Sequence, residues 1–226
     1  MVYPTVFVAV YIDDVILTRT DFSEIQCLKA FLHDQFKIKD LGKLHYFLGL
    51  DILYQDDGVL ITQRKFTNDL IKEFDCCSYR PITLPLDPTM NLRPNEGKLL
   101  HDPTFYRRLV GKLNFLTHTR LDIAYSVNPT LGIFISKNPD CIISAFSDLD
   151  WAACPDSRKS VSGYIVMMGN SPISWKSKKQ TTISLSSAEA EYKAIRKVVG
   201  ELVWLERLLT ELTIVCALPI SVFCDS

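Results

Sequence analysis

The chain lacks the sequence features of membrane and secreted proteins. Its 226 residues contain no apolar run close to the ~18 residues that a bilayer span requires. No basic stretch followed by an apolar segment and a small-residue cleavage site stands at the N-terminus. We therefore expect a protein that is not secreted and has no membrane partner.

An excess of charge of one sign is also missing. The 25 basic and 26 acidic residues give a net charge of −1, which excludes a strongly basic nucleic-acid-binding protein but leaves room for local basic patches. The seven cysteines form no C-x-x-C pair and the four histidines lie far apart, so we expect free thiols and no zinc site. The 47% of hydrophobic residues suffices for a buried core, in one large domain or two small ones.

Three regions with different patterns follow one another and together predict an α+β protein. Region 1–62 is acidic and predicts paired strands around a helix, with Asp13 and Asp14 at the first turn. Region 63–140 predicts helices interrupted by prolines, and includes an apolar segment over 123–135. Region 141–226 predicts strands around one long helix. The predicted strands are 5–12, 15–17, 46–54, 59–62, 142–146, 163–168, 172–175, 181–185 and 220–224.

The first candidate site is the pair Asp13-Asp14 between two apolar strands. Adjacent carboxylates at a tight turn can hold Mg²⁺ against a triphosphate, because this ion prefers carboxylate and phosphate oxygens. Aspartate is also a common turn residue, so a plain hairpin explains the four residues Tyr11 to Asp14 equally well.

A second candidate is a set of three carboxylates in the last region. Glu191 continues the four-three spacing of apolar residues that runs from Ile195 to Leu212, which predicts a position on the buried face of the long helix. A buried carboxylate needs a metal or a cation, although an acid near a helix start also suits the helix dipole. Asp148 and Asp225 lie at the ends of two predicted strands, so the three acids could converge on a pair of metal ions.

Two basic patches are candidates for nucleic-acid contact. Lys176, Lys178 and Lys179 lie beside aromatic residues, a combination that suits a nucleic-acid backbone. Lysines also protect the exposed edge of a sheet, which is the commoner explanation for an isolated cluster. The second patch, on the middle helices, comprises Arg107, Arg108, Lys112 and Arg120.

These motifs resemble the Pol polyprotein of copia-type LTR retrotransposons, at the junction of reverse transcriptase and ribonuclease H. The resemblance covers nearly the whole chain and includes the box Tyr11 to Asp14. The further matching blocks are 36–42, 46–49, 106–113 and 119–124 for the polymerase, and 147–152, 175–180 and 186–192 for the ribonuclease H.

The resemblance implies a fold of partial palm hairpins and a helical thumb, followed by a truncated ribonuclease H-like α/β domain. It implies that Asp13 and Asp14 bind Mg²⁺ or Mn²⁺ for nucleotidyl transfer, and that Asp148, Glu191 and Asp225 bind it for hydrolysis of RNA. It also implies a primer grip at Tyr46, Phe47, Leu48 and Gly49. The expected partners are an RNA–DNA hybrid or primer–template, the remaining Pol segments and, in the full-length enzyme, dNTPs; the expected location is a cytoplasmic virus-like particle or the nucleus.

Departures from the family pattern predict that the chain alone has little or no activity. The fingers, most of the palm and a third polymerase carboxylate are expected upstream of Met1, and a fourth nuclease carboxylate beyond Ser226. The helical connection that the family has between thumb and ribonuclease H is nearly absent between Asp140 and Cys141. The alternative is a decayed or non-catalytic nucleic-acid-binding protein.

Overall fold

The computed structural model describes residues 6–18, 22–78, 97–120, 132–137 and 141–224. The chain divides into two compact units, 1–47 and 48–226, which are described separately. Within the described ranges, no helix is long and apolar enough to cross a membrane.

The first unit contains a two-stranded hairpin and one helix. Strands β1 (Phe7–Tyr11) and β2 (Asp14–Thr18) are antiparallel, and α1 (Phe22–Phe36) and the short β3 (Tyr46–Phe47) follow. The hairpin was predicted, but the turn consists of Ile12 and Asp13, because Asp14 is already the register partner of Tyr11. Ile12 takes a positive φ of 51° to make this two-residue turn.

The second unit begins with an antiparallel sheet. Strands β4 (Leu50–Tyr54) and β5 (Gly58–Thr62) form the hairpin that the sequence predicts around residues 55–58. The single strand predicted over 46–54 is wrong, because a turn interrupts it. Leu48 and Gly49 have φ values of 50° and 81°, which extended backbone does not allow.

A third strand of this sheet lies in the region that was predicted to be helical. Strand β6 (Ile133–Ser136) is antiparallel to β5, so the helical prediction is wrong there. Two glycines permit the close approach of β5 and β6. A Cβ on Gly58 or Gly132 would collide with a backbone oxygen of the neighbouring strand. The β-branched and aromatic side chains of β6 also favour a strand. Most of the apolar segment 123–135 lies outside the described residues.

Two helices accompany this sheet, α2 (Arg64–Glu73) and α3 (Thr104–Leu116). Gln63, only 2% exposed, joins them. Its Nε2 donates to the backbone oxygen of Phe115 at 3.1 Å, and its Oε1 accepts the Thr119 hydroxyl at 2.7 Å. Both polar atoms of this buried side chain therefore have hydrogen-bond partners.

A second sheet has the order β10–β7–β8–β9. Strands β7 (Ile143–Asp150), β8 (Val161–Met168) and β9 (Ser171–Lys179) form an antiparallel meander, and β10 (Ser221–Cys224) pairs with β7 in parallel. Helix α4 (Ser187–Glu211) covers one face of the sheet. The core joins α4 to β7 and β8 through Ile143, Ala145, Val166, Val198, Leu202, Leu205 and Leu209.

The strand predicted over 181–185 is wrong. The segment has no regular structure, because side chains satisfy its polar groups instead of a sheet partner. Lys193 Nζ donates to the Thr182 hydroxyl and to the Ile183 oxygen, and Trp151 Nε1 donates to the Ser184 oxygen. The segment therefore leads from β9 into α4 as a loop.

Candidate active site and nucleic-acid interface

Asp13 and Asp14 lie at the tip of the hairpin of the first unit. Asp13 occupies the turn and Asp14 begins β2, and both are exposed. Tyr11 beside them is 50% exposed, and Val10 on the same hairpin is 67% exposed. The two carboxylates are accessible to solvent, as a metal–triphosphate complex would require.

Asp148 lies on β7, a central strand of the second sheet. In β7, alternate residues such as Ala145 and Ser147 are buried, whereas Phe146 and Asp148 are exposed on the opposite face. One carboxylate oxygen of Asp148 accepts the backbone N–H of Leu149 at 2.7 Å. Ser147, the residue before Asp148, is the register partner of Cys224, which is followed in sequence by Asp225. Asp225 itself lies outside the described residues.

Glu191 lies in the second turn of α4 but not at the centre of its buried face. The buried positions at this end of the helix are Ala190 and Ala194, and Glu191 beside them is half-buried. The sequence predicts Glu191 on the buried face, and it lies at the edge of that face because the buried stripe reaches this end through steps of four residues from Val198. Glu191 makes no hydrogen bond or ion pair with the described part of the chain, so its carboxylate is available to a ligand.

The donors are of the chemical type that suits a divalent ion such as Mg²⁺, although Asp148 lies on the sheet face opposite to the one that α4 covers. Asp148 and Glu191 offer carboxylate oxygens, the ligands that Mg²⁺ prefers. Within the ranges that the structure describes, no three Asp, Glu, His or Cys side chains lie close enough to hold a metal together. Because Asp225 is not described, the predicted set of three carboxylates stays a prediction.

An open groove of about 1160 Å³ runs over the exposed face of the second sheet. Asp148 lines it beside two aromatic rings, Phe146 and Phe223, which stack with centroids 5.1 Å apart. Trp175 of β9 also lines the groove and donates its Nε1 to the Thr117 oxygen at 3.1 Å. Aromatic faces and a carboxylate therefore share one accessible surface.

The basic patch on α3 is partly neutralised within the protein. Arg108 forms an ion pair with Glu73 at 3.2 Å, and Lys112 bonds to the same carboxylate. The hydrogen bond from Lys112, and next to it the charges of Lys112 and Arg108, hold the pKa of Glu73 below its usual range. Arg107 is exposed and has no acidic partner among the described residues. Of the three predicted contacts on this helix, Arg107 is the cation most available to a phosphate.

The residues predicted to form a primer grip surround a tight turn. Tyr46 is 45% exposed and Leu48 is 41% exposed, so both offer apolar surface at the turn. At Gly49 a Cβ would lie 3.1 Å from the Phe115 ring, so a side chain there would require this ring to shift, and the φ of 81° also favours glycine. Gly49 therefore lies close to α3 within the second unit. Phe47, at the end of the first unit, is half-buried.

The three lysines of β9 are exposed near the end of the strand. Lys179 donates to the Cys154 thiol at 3.0 Å. The nearby Ser157 hydroxyl, and then the hydrogen bond from Lys179, lower the pKa of this thiol to about 6. The spacing of the cysteines in the sequence did not indicate that Cys154 contacts Lys179.

Comparison with known proteins places the chain. Residues 3–88 match the family model "Reverse transcriptase (RNA-dependent DNA polymerase)". The chain is 36% identical, over 98% of its length, to the "Retrovirus-related Pol polyprotein from transposon RE1" of Arabidopsis thaliana. It is also 33% identical to the "Uncharacterized mitochondrial protein AtMg00810" of the same plant, over 88% of this chain and 93% of that protein. This chain belongs to the reverse-transcriptase family of copia-type retrotransposon Pol polyproteins.

The Pol relatives are much longer than this chain. The chain spans 17% of the RE1 polyprotein and 19% of the Pol polyprotein from transposon TNT 1-94 of Nicotiana tabacum, to which it is 29% identical. The RE1 alignment extends over 248 residues whereas this Pol segment has 226, so at least 22 aligned positions have no counterpart here. No solved structure matches the chain.

Sequence reasoning missed several buried and cavity-lining residues of this chain. Gln180 follows the predicted basic patch, yet it is only 3% exposed and donates its Nε2 to the Ala190 oxygen at 2.9 Å. Arg196 and Lys197 of α4 line cavities beside the lysines of β9. Their helical spacing from Lys193 was a usable signal, but only the packing of α4 beside β9 brings the two basic groups together.

Proposed function

We propose that residues 141–226 form part of a ribonuclease H-like domain, joined to the reverse transcriptase-like segment of a Pol polyprotein. The observation that carries the proposal is the second sheet: an antiparallel meander, a covering helix, and a further strand parallel to the first. The matching motifs lie in that order along it, with Asp148 on β7 and Glu191 on α4. The assignment of 1–62 to the palm and of 63–140 to the thumb belongs to the same proposal.

Asp148, Glu191 and Asp225 would hold Mg²⁺ or Mn²⁺ in the nuclease half. Register supports this set, since Ser147 and Cys224 are partners and each precedes one of the aspartates. The half-buried, unbonded carboxylate of Glu191 supports it as well. When bound, the metal would supply positive charge against the phosphoryl oxygens of the RNA strand. The exposed aromatic pair in the groove would contact the substrate next to Asp148.

In the full-length polyprotein, Asp13 and Asp14 would hold metal for nucleotidyl transfer to a primer–template, with dNTPs as substrates. The exposure of both carboxylates supports this role. Tyr11, the turn at Tyr46 to Gly49, and the bases Arg107, Arg108 and Lys112 would contact nucleic acid. Among these bases, Arg107 would contribute most, because Glu73 already engages the other two.

We further propose that the chain alone is inactive in both reactions. Its first hairpin is two-stranded and leaves Val8 50% exposed and Val10 67% exposed. Such a hairpin has little packing to hold catalytic carboxylates in a fixed position. At least 22 positions of the aligned RE1 region are absent, since 248 residues align with a chain of 226. A deletion between Asp140 and Cys141 would account for the missing helical connection between the thumb and the ribonuclease H.

A cleavage and extension experiment tests this proposal. The wild-type chain, Asp148→Asn and the matched control Asp156→Asn are incubated with a labelled RNA–DNA hybrid, and separately with a primer–template and dNTPs, in Mg²⁺ and in Mn²⁺. We expect no template-dependent extension, and equal background cleavage by all three proteins. Cleavage by the wild type and by Asp156→Asn, but not by Asp148→Asn, would contradict inactivity and would still assign Asp148 to the nuclease.

A second candidate function is nucleic-acid binding without catalysis. It is favoured by a specific observation, the concentration of cations where β9 and α4 lie side by side. Binding of a hybrid that depends on salt and occurs without cleavage would support this function.

A further inference from the structure

A cysteine and a lysine meet where the connection between β7 and β8 approaches the end of β9. The Lys179 Nζ donates to the Cys154 Sγ at 3.0 Å, although the two residues are 25 positions apart in sequence. Cys154 is half-buried, and Lys179, the last residue of β9, is exposed. A sulfur and a nitrogen nucleophile therefore lie within reach of each other and of solvent, outside the carboxylate set of the proposed metal site.

Backbone hydrogen bonds hold both residues of this contact in place. The Cys154 N–H donates to the Lys159 oxygen at 3.1 Å, and the Arg158 N–H donates to the Cys154 oxygen at 2.8 Å, which closes a tight turn. Arg158 takes a positive φ of 51° within this turn. Lys179 is held by the sheet, since it is the register partner of Val161 at the start of β8. The contact between sulfur and nitrogen therefore depends on backbone positions that the turn and the sheet determine.

The Ser157 hydroxyl lies in the same turn and has an unused hydrogen-bonding capacity. Its oxygen is buried and has no hydrogen-bond partner in the part of the chain that the structure describes. Buried polar groups are normally hydrogen-bonded, because leaving one unsatisfied costs free energy. An oxygen atom added to the neighbouring Cys154 sulfur would supply this hydroxyl with an acceptor.

The Cys154 thiol is also in the protonation state that reacts with peroxides. Its pKa of about 6 keeps the thiolate present at neutral pH, and the thiolate is the nucleophilic form of cysteine. All seven cysteines are free thiols, so no disulfide engages Cys154 in the structure. The Lys179 amine, 3.0 Å away, is the nucleophile positioned to attack this sulfur once it is oxidised.

We propose that Cys154 and Lys179 form a reversible covalent cross-link, a sulfenamide, with hydrogen peroxide as the oxidant. In the first step the Cys154 thiolate attacks one peroxide oxygen and the O–O bond breaks. The sulfur is oxidised by two electrons to a sulfenic acid, and the peroxide is reduced to water. In the second step the unprotonated Lys179 amine attacks that sulfur, an S–N bond forms, and the sulfenic hydroxyl leaves as water with one amine proton. In sum, one thiol, one amine and one hydrogen peroxide give one sulfenamide and two water molecules.

Mass spectrometry of the full chain after treatment with hydrogen peroxide tests the cross-link. The wild type, Lys179→Gln and the matched control Lys178→Gln are digested without reductant. Lys178 precedes Lys179 on β9 and projects to the opposite face of the sheet. The wild type and Lys178→Gln should yield joined peptides of Cys154 and Lys179, lighter by two hydrogen atoms than their sum and separated by dithiothreitol. Lys179→Gln should yield no joined peptides, and its Cys154 should stay a sulfenic acid that dimedone traps.

Circular dichroism and the melting temperature confirm that each variant is folded before its peptides are compared. Oxidation of Cys154 in the wild type without a cross-link to Lys179 would overturn the proposal. Joined peptides that keep an oxygen atom between sulfur and nitrogen, or a loss of the cross-link in Lys178→Gln as complete as in Lys179→Gln, would overturn it too. The experiment needs neither metal nor nucleic acid, so failure of the proposed function leaves its result readable.

Discussion

At the residue scale, two buried glutamines join neighbouring elements of the second unit. Gln63 joins α2 to α3, and Gln180 joins the end of β9 to the start of α4. Each amide is at most 3% exposed and bonds at both ends. A sequence cannot distinguish such a residue from an exposed glutamine, because the distinction depends on which carbonyls lie within reach after packing.

Cys154 provides a prediction at the same scale. Its folded pKa of about 6 lies below the ordinary thiol value of about 8.5, so the thiolate should persist as pH falls and be lost only through pH 6. The rate of iodoacetamide labelling of Cys154, followed by mass spectrometry of its peptide, should rise with a midpoint near pH 6. Lys179→Gln should move that midpoint upward, because the variant loses a hydrogen bond that favours the charged form.

Cys27, an exposed thiol in the same chain, is the internal reference for reagent and pH effects. Its labelling profile should be the same in the wild type and in Lys179→Gln. A Cys154 profile that Lys179→Gln leaves unchanged would mean that the lysine does not stabilise the thiolate.

At the element scale, helix α4 organises the second unit. Ser186 and Glu189 have the sequence spacing of a capping box, and both halves of the box form. The Ser186 hydroxyl accepts the Glu189 backbone N–H at 3.1 Å, and the Glu189 carboxylate accepts the Leu185 N–H at 2.8 Å. Such reciprocal bonds satisfy two N–H groups that a helix start leaves without partners.

Loss of the cap should therefore cost stability. Ser186→Ala removes the hydroxyl acceptor and should lower the free energy of unfolding by about 1 kcal/mol, the usual cost of an N-cap deletion. Ser186→Thr keeps an acceptor and should retain most of the stability. Urea unfolding followed by circular dichroism measures both variants. Equal losses in the two variants would mean that the hydroxyl does not cap the helix.

The elements also show where sequence reasoning succeeds. The long helix, the 55–58 hairpin and the β8–β9 hairpin were predicted correctly because local periodicity and turn residues determine them. The segment 181–185 was predicted wrongly as a strand, since its Thr and Ile residues favour β structure but Lys193 binds its polar groups as a loop. Strand β6 was missed because its pairing depends on the distant Gly58 as well as on the neighbouring Gly132.

At the scale of the whole molecule, the chain contains two compact units of unequal size, 1–47 and 48–226. Membership in the retrotransposon Pol family could be predicted from short motifs, and the α+β class from the order of elements. The structure places the predicted site residues in different environments. Asp148 and the lysines of β9 are exposed. Arg108 and Lys112 are paired with Glu73, and Glu191 lies at the edge of the buried face of α4. Pairings between distant elements decide these differences.

The near-zero net charge also has a clearer explanation at this scale. The charge of −1 combines exposed carboxylates at the first hairpin with the cations of β9 and α4 in the second unit. Local fields therefore decide what each part attracts, while the net charge says little about either.

The central claim is that Asp148 and Glu191 hold a divalent metal in a ribonuclease H-like domain. Titration of the isotope-labelled chain with Mn²⁺ tests it most directly, because the paramagnetic ion broadens the amide signals that lie near it. We expect selective broadening at Asp148, Leu149 and Glu191, abolished at Glu191 by Asp148→Asn. Asp56 and Asp57, an exposed acidic pair in the β4–β5 turn, are the reference for non-specific binding. Broadening at that pair equal to the broadening at Asp148 and Glu191 would contradict the claim.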